Sequence, residues 1–364
     1  MNNIKKIGLT ALAGSLVSLG SAVAGEMSVT GAINTTLKFG KPNSAGGNNN
    51  TSRALGADRD VTFSGSGELD NGTTFSMTTT VDDNYGMSAS STVITTPSLG
   101  SFTLGASNGS ASYLYDEEVP QAYEQVSDAK QVSSNMIGDF MDNNHVLYTS
   151  PTLDFMGATV VGHLGYSPQA SDGKVGDGGT LAYNETFGAG QEAGLTITYD
   201  ALKVGLYGAE RERMTPNASS GQQLSDEVNL AAYIKYSFGP VSIGYAETYM
   251  DAGTTSGVVS TTSAATERTS GGLFTNEQMS IAFNVNDNLS ISYTTSEDTY
   301  DNQDDHKTGV TTDDDVTEET DAIQIAYSMG GMSIKAYNME ITNVDHKTDN
   351  PDQSITEIAL GFAF

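Results

Sequence analysis

The stretch between about residues 108 and 143 carries seven carboxylates and a single basic residue, Lys130. In a narrow passage of low dielectric constant, carboxylates raise the local concentration of cations, because field lines focus between the walls. The stretch therefore predicts a filter that prefers cations, and the alternative is a solvated surface loop with no role in permeation. The residues that we expect to form this filter are Asp116, Glu117, Glu118, Glu124 and Asp128.

Catalytic chemistry has little support in the residue types. The chain has no Cys, which excludes thiol catalysis and a zinc–thiolate site. The four histidines are far apart in the sequence, and their spacing shows no arrangement of Ser, His and Asp. We therefore do not expect an enzyme.

A second acidic stretch runs from Glu297 to Asp321 and contains eleven carboxylates. Oxygen ligands at such density are able to bind Ca²⁺, and the candidates are Asp313, Asp314 and Asp315. The glycine and the ligand spacing of an EF-hand loop are absent, however. We therefore expect a solvated electronegative surface and no cofactor, with the calcium site as the alternative.

The segments that must hold these loops show the alternation of a β-strand. In residues 355–364, apolar side chains that include Phe362 and Phe364 alternate with small or charged ones such as Glu357 and Gly361. A strand has a side-chain period of two, so one face meets an apolar medium and the other meets water. About ten residues are enough for a tilted strand to cross a bilayer. The alternation over the last ten residues therefore predicts a transmembrane strand.

Similar segments recur along the chain, and we count sixteen, from residues 29–39 to residues 354–364, with fourteen or eighteen as the alternatives. The segments are joined in turn by tight turns, such as those at 70–72 and 330–331, and by connections that are mostly long, polar and acidic. Short turns at one end and long loops at the other are typical of a transmembrane barrel. The opposite strand face is polar, which predicts a water-filled interior. The predicted fold is all-β, a 16-stranded antiparallel transmembrane β-barrel formed by residues 25–364.

The start of the chain is typical of a secretory signal peptide. Lys5 and Lys6 precede an uncharged run from Ile7 to Leu19, and small residues follow it. This run is shorter than the ~20 residues that a spanning helix needs. We expect residues 1–24 to be cleaved on export.

The chain as a whole is strongly acidic, with 45 Asp and Glu residues against 16 Lys and Arg residues. A surface this negative repels nucleic acid and attracts cations. Nucleic acid is therefore not expected as a partner. The acidic residues collect between the patterned segments, as solvated loops require.

Three stretches resemble the trimeric general porins of Gram-negative bacteria, in particular the alphaproteobacterial type. They are the segments from Leu99 to Gly105, from Asn144 to Pro151 and from Gly361 to Phe364. In that family the first leads into a constriction loop, the second follows it, and the third closes the barrel. The resemblance implies that the third long loop folds inward and that the protein is a homotrimer. It also implies that Phe362 and Phe364 form a signal that the barrel-assembly machinery reads.

The resemblance further implies a basic cluster on the pore wall, facing the acidic loop. The candidates are Lys38, Arg53 and Arg59. Lys38 has inward parity, whereas Arg59 shares the parity of the outward Val61, so a position above the membrane is its alternative. The second long loop, which often contacts a neighbouring subunit in such porins, is reduced to residues 82–84. Trimer contacts are therefore expected from the outward faces of the first strands.

These observations predict a general diffusion porin in the outer membrane of a Gram-negative bacterium, with a water-filled, cation-preferring channel for small hydrophilic solutes and ions. Its expected surroundings are outer-membrane lipid and lipopolysaccharide. A substrate-specific outer-membrane channel is the first alternative, although no aromatic ladder is evident on the inward face. A secreted structural or adhesive β protein is the second, and it would need a buried apolar inner face.

Overall fold

The structure is a computed structural model that describes residues 27–41, 52–83, 86–106, 109–129, 137, 141, 144–170, 187–214, 225–251, 273–301 and 315–364. Within these residues, seventeen strand segments form one antiparallel sheet. The segments are β1 (Met27–Lys41), β2 (Ser52–Glu68), β3 (Thr74–Val81), β4 (Met87–Thr96), β5 (Gly100–Ala106), β6 (His145–Thr149), β7 (Leu153–Phe155), β8 (Ala158–Ser167), β9 (Phe187–Tyr199), β10 (Leu202–Arg213), β11 (Glu227–Phe238), β12 (Val241–Asp251), β13 (Leu273–Asn286), β14 (Leu289–Asp301), β15 (Val316–Met329), β16 (Met332–Thr342) and β17 (Gln353–Ala363). Two short helices, Ala111–Leu114 (3-10) and Val126–Ala129 (α), lie between β5 and β6.

Segments β6 and β7 are two parts of one transmembrane strand. Both pair with β8, and the interruption between them includes Pro151, which has no backbone N–H to donate. The seventeen segments therefore form sixteen strands around the barrel. Strands adjacent in the chain pair with each other, and β1 pairs with β17 to close the sheet. The predicted 16-stranded antiparallel barrel is confirmed.

The last strand has the orientation that its alternation predicts. Ile358 and Phe362 are exposed on the outside, whereas Glu357 and Gly361 are buried on the inside. Phe364 extends the pairing with β1, because its backbone N–H and C=O both bond to Gly31, at 3.0 and 2.7 Å. Apolar side chains on the outside and polar ones on the inside are what a membrane-spanning barrel requires.

The inner face is not polar throughout. Met339 and Ile341 on β16 and Ile355 on β17 are fully buried inside the barrel. They pack with Val126, from the segment after β5, and with Val344, from the segment after β16. The prediction of a uniformly polar interior is wrong here, because connections folded into the barrel cover this part of the wall and form a small apolar core with it.

Tight hairpins join consecutive strands at one end of the barrel. Gly72 and Gly330 have φ angles of 79° and 60°, which glycine adopts without a steric penalty. In the turn between β13 and β14, Asn286 Oδ1 accepts a hydrogen bond from the backbone N–H of Asn288 at 2.9 Å. Neither helix among the described residues is long and apolar enough to cross a membrane.

Candidate functional site

The loop between β5 and β6 lies inside the barrel over residues 109–129. Its residues form hydrogen bonds with inward-facing side chains of β9, β13, β14, β15 and β17. We call residues 109–129 the constriction loop, the inward faces of β8–β17 the covered wall, and the inward faces of β1–β5 the open wall. The predicted inward folding of this loop is confirmed.

Glu192 on β9 holds the start of the constriction loop. Its Oε1 accepts a hydrogen bond from the backbone N–H of Ala111 at 2.7 Å. Its Oε2 accepts from the Ser110 hydroxyl at 3.0 Å and from the backbone N–H of Ser112 at 3.2 Å. The Tyr207 hydroxyl on β10 donates to the same oxygen at 2.9 Å. Four donors thus surround a carboxylate that is only 4% exposed, and they offset the cost of burying its charge.

Tyr115 packs the same part of the loop against the covered wall. Its ring centroid lies 5.4 Å from that of Tyr207 and 6.1 Å from that of Tyr233, and its hydroxyl lies 2.8 Å from His163 Nδ1. Gly194 on β9 makes room for it, since a Cβ there would lie 2.3 Å from the Tyr115 ring. Burial raises the pKa of Tyr115 to about 12, so the hydroxyl stays protonated at neutral pH.

Of the predicted filter residues, Glu118 bonds the loop to the covered wall and Glu117 bonds within the loop. Glu118 Oε2 lies 3.8 Å from Lys203 Nζ and accepts a hydrogen bond from Lys235 Nζ. The two lysines are direct cross-strand partners, so the carboxylate offsets their repulsion. Glu117 accepts a hydrogen bond from the backbone N–H of Ser127 at 3.2 Å. The two glutamates are only 3% and 5% exposed, and they therefore lie against protein rather than along the open space.

The second half of the loop is held by side-chain hydrogen bonds to its backbone. On β15, Gln324 Oε1 accepts a hydrogen bond from the backbone N–H of Tyr123 at 2.7 Å. The Nε2 atom of the same side chain donates to the carbonyl of Glu124 at 2.8 Å. On β14, Ser292 accepts from the backbone N–H of Ala122 at 2.9 Å. These bonds satisfy loop backbone that is removed from water.

Tyr123 joins the second half of the loop to the strand that closes the barrel. Its hydroxyl donates to Glu357 Oε1 at 2.8 Å. Glu357 Oε2 also accepts from the Tyr337 hydroxyl at 3.3 Å and lies 3.6 Å from Lys38 Nζ. Burial and the neighbouring carboxylates raise the pKa of Tyr123, which keeps it a neutral donor. Lys335 Nζ lies 5.0 Å from the centroid of the Tyr123 ring.

The other predicted filter residues are described in part. Asp116 and Glu124 are half-buried. Asp128 belongs to the helix Val126–Ala129, and its side chain lies outside the described residues. The role of the five acidic residues in permeation stays a prediction.

Of the three predicted basic wall residues, only Lys38 faces the interior. On β2, Arg59 pairs with the outward Ile33 of β1, and Arg53 pairs with the outward Phe39. Both arginines are exposed. Their expected place on the pore wall is wrong, because β2 passes through both positions with regular alternation and puts them on the outside of the barrel.

The covered wall carries charged residues that sequence reasoning missed. Arg211 and Arg213 point inward from β10, and their guanidinium groups lie 2.9 and 3.6 Å from the carboxylate of Glu227 on β11. None of these residues, nor Glu192 on β9, is among the predicted wall residues. Inward parity was the available signal, but which charges meet across neighbouring strands depends on the register.

Hydroxyl groups are the main side-chain feature of the open wall. The Oγ1 atoms of Thr62 on β2 and Thr80 on β3 lie 2.9 Å apart. The hydroxyls of Thr78 on β3 and Ser91 on β4 lie 2.8 Å apart. Since a hydroxyl both donates and accepts, this wall can bond to water along its length.

The open wall also carries two aspartates on β2. Asp58 and Asp60 pair with Asn34 and Ala32 of β1, which share the inward parity of Lys38. Asp58 is exposed and Asp60 is half-buried. Within the part of the chain that the structure describes, neither carboxylate forms an ion pair or a hydrogen bond.

No group of three His, Cys, Asp or Glu side chains among the described residues is arranged to hold a metal ion. Of the predicted calcium ligands, Asp313 and Asp314 lie outside the described residues, and Asp315 directly precedes β15. The calcium site stays a prediction.

The closed barrel, its outward apolar side chains and the loop folded along its interior define a class of protein, the transmembrane β-barrel channels. A family model described as Gram-negative porin matches residues 8–364. The chain therefore belongs to the Gram-negative porins, which places it in the outer membrane. A comparison with curated proteins finds no match.

Several solved porin structures share the fold at low sequence identity. Outer-membrane expressed OmpT of Vibrio cholerae is 12% identical with a TM-score of 0.61, over 95% of this chain and 100% of that one. An anion-selective porin from Comamonas acidovorans is 10% identical with a TM-score of 0.62, over 93% of this chain and 100% of that one. A trimer form of in-vitro folded Vibrio cholerae OmpT is 13% identical with a TM-score of 0.60, over 94% and 100%. At these identities the likeness shows the fold.

Proposed function

We propose that the protein is a general diffusion porin whose water-filled channel prefers cations and passes small hydrophilic solutes and ions. The distribution of charge inside the barrel carries this proposal. Among the described strand residues, five of the six inward-facing bases lie within ion-pair distance of a carboxylate: Lys38, Lys203, Lys235, Arg211 and Arg213. The sixth, Lys335, lies over the ring of Tyr123. The two aspartates of the open wall have no such partner, and the chain carries a net charge of −29.

An uncompensated carboxylate on an accessible wall attracts cations, whereas a base beside a carboxylate attracts passing ions much less. The two unpaired aspartates therefore contribute more to the field along the channel than the five paired bases do. The screening length is about 8 Å at physiological ionic strength. The cation preference should accordingly grow as the salt concentration falls.

The open wall also supports a general channel rather than a specific one. No inward position on the described parts of β1–β5 carries an aromatic ring on which a sugar could slide. On the opposite side, Tyr115 of the constriction loop instead packs against the inward rings of Tyr207 and Tyr233. Liposome swelling with sugars of increasing size should show rates that fall steadily with size. Saturable uptake of a single sugar would favour a substrate-specific channel.

Reversal potentials in a planar bilayer test the cation preference. With a KCl gradient across the wild-type channel, the potential should have the sign of a membrane more permeable to K⁺ than to Cl⁻. The ratio of permeabilities should rise when both solutions are diluted at a constant gradient. A potential of the opposite sign contradicts the proposal.

We propose a homotrimer that associates through the outward faces of β1–β5. Arg53 and Arg59 point outward there, and the outward hydroxyls of Thr79 and Ser90 lie 3.3 Å apart. A basic side chain facing lipid at the bilayer midplane costs about 2–4 kcal/mol, so a polar surface is better placed against a neighbouring subunit. The trimer form of a porin with the same fold adds support. Light scattering in detergent should give three times the mass of one chain, and a monomer would contradict the proposal.

A row of outward-facing glutamates supports a proposal about where the lipid headgroups lie along the barrel wall. Glu247, Glu277, Glu297 and Glu319 follow one another in register across β12–β15. Neighbouring like charges repel, so the row is unsuited to a hydrocarbon environment. We propose that the row lies in the headgroup layer, with lipopolysaccharide as the lipid partner of the outer leaflet. Protection of these carboxylates from a water-soluble label by lipopolysaccharide would support this position, and equal labelling with and without lipopolysaccharide would contradict it.

For biogenesis, we propose cleavage of residues 1–24, which lie outside the described residues, and recognition of Phe362 and Phe364 by the barrel-assembly machinery. Phe364 is 64% exposed, and its backbone bonds to Gly31 extend the pairing of β17 with β1. Deletion of Phe364 should lower the amount of folded barrel in the outer membrane. An unchanged amount would remove the assembly role.

A further inference from the structure

We propose that Glu192 on β9 and Glu357 on β17 are positioning residues of the pore, which clamp the constriction loop at its start and at Tyr123 and so set the free width of the channel. The inference rests on the proposed function, in which solutes pass between the loop and the open wall. Both glutamates are wall carboxylates that accept hydrogen bonds from the constriction loop.

The Glu192 clamp fixes three consecutive residues of the loop. Two of its donors are the backbone N–H groups of Ala111 and Ser112, and the third is the hydroxyl of Ser110. A carboxylate only accepts hydrogen bonds, so both of its oxygens suit this ring of donors. In glutamine one oxygen becomes an NH₂ group that would face another donor. An isosteric change therefore breaks the clamp without removing volume.

The Glu357 clamp holds the second half of the loop, at Tyr123, to the seam of the barrel. Glu357 and Lys38 are cross-strand partners on the last and first strands, and Tyr123 of the loop donates to the same carboxylate. The position of Tyr123 is thus tied to the pairing that closes the barrel. Hydrogen bonds to a charged acceptor are about twice as strong as neutral ones, which makes this contact stronger than the neighbouring bond from Gln324.

The geometry also gives the direction in which a released loop would move. Ala111 and Tyr115 are fully buried between the loop and the covered wall, so no space is left behind them. A freed segment of the loop moves away from that wall, toward the open wall. Loss of a clamp therefore narrows the path and makes it fluctuate.

Single-channel recording of two variants tests the inference. Glu192→Gln breaks the first clamp, and Tyr123→Phe removes one hydroxyl from the second while leaving every wall residue unchanged. We expect each variant to lower the mean open conductance by about twofold, to close more often, and to exclude sugars that the wild type passes. Only channels that keep heat-modifiable migration in SDS gels are compared, so the readout is pore width and not folding.

Matched controls come from a glutamate–tyrosine pair with the same chemistry on the outside of the barrel. The Tyr245 hydroxyl donates to Glu247, and both residues have outward parity on β12. Glu247→Gln and Tyr245→Phe should leave conductance and closures unchanged. Wild-type conductance and noise in both Glu192→Gln and Tyr123→Phe would overturn the inference. That result would leave the proposed function intact, since the function fails on a different result, an anion-directed reversal potential of the wild type.

Discussion

The open wall and the covered wall are built from the same alternating strands, yet their inward side chains have different surroundings. Threonines of the open wall, such as Thr62 and Thr80, bond to one another and stay partly accessible. Inward residues of the covered wall, such as Glu192 and Tyr207, are buried under the constriction loop. Strand parity therefore decides which side chains point inward, and the loop decides whether an inward residue lines the channel or holds the loop.

Unbalancing the covered wall should have the largest effect on selectivity. Glu118→Gln removes the carboxylate that Lys203 and Lys235 share and leaves two uncompensated positive charges near the constriction. We expect the permeability ratio of K⁺ to Cl⁻ to fall by roughly tenfold, because field lines focus at the narrowest point. Reversal potentials measure this ratio. The outward variant Glu247→Gln should match the wild type, and an unchanged ratio in Glu118→Gln would contradict this account of the covered wall.

Removing the charge of the open wall should have a smaller effect in the same direction. The double change Asp58→Asn and Asp60→Asn leaves two neutral amides on β2. We expect the ratio to fall by about two- to threefold at physiological ionic strength, and by more in dilute salt, where screening is weaker. The same recordings at two salt concentrations check this. Equal ratios for the double variant and the wild type in dilute salt would show that the open wall does not determine selectivity.

The smallest expected effect concerns the fit between loop and wall. Gly194→Ala places a methyl group 2.3 Å from the ring of Tyr115, and overpacking of this kind costs about 1–3 kcal/mol. The temperature at which the barrel loses its folded migration should fall by a few degrees. Gly162→Ala is the control, because its nearest neighbour is the Ser150 hydroxyl at an ordinary 3.7 Å. Equal transition temperatures for both variants would mean that the loop does not press on β9.

Most of the barrel could be predicted because the side chains of a transmembrane strand alternate between an apolar and a polar face, with a period of two residues. The alternation predicts a strand over residues 227–238, and the structure places β11 at Glu227–Phe238. The alternation signals a strand only from about residue 192, although β9 begins at Phe187. Residues 188–190 are all small, so the two faces of the strand do not differ in polarity there. The strand extends over these residues by pairing with β10, and the sequence gives no signal of it.

The position of the candidate site in the chain could be predicted from sequence, but the contacts of its side chains could not. The acidic composition between β5 and β6 indicated the loop, whereas the burial of Glu117 and Glu118 depends on how the loop lies on the wall. Lys203 and Lys235 face each other only through the register of β10 and β11, which no local pattern reveals. Arg59 was expected on the pore wall by family resemblance, while its own parity indicated the outward position that the structure shows.

The central claim is that Glu118 is not itself the cation filter but balances Lys203 and Lys235 on the covered wall. The most direct test is the reversal potential of the triple variant Glu118→Gln, Lys203→Gln and Lys235→Gln in a KCl gradient. The account predicts a cation preference at or above that of the wild type, since the change removes one negative and two positive charges. Loss of the cation preference in this variant would contradict it, because Glu118 would then be the filter itself.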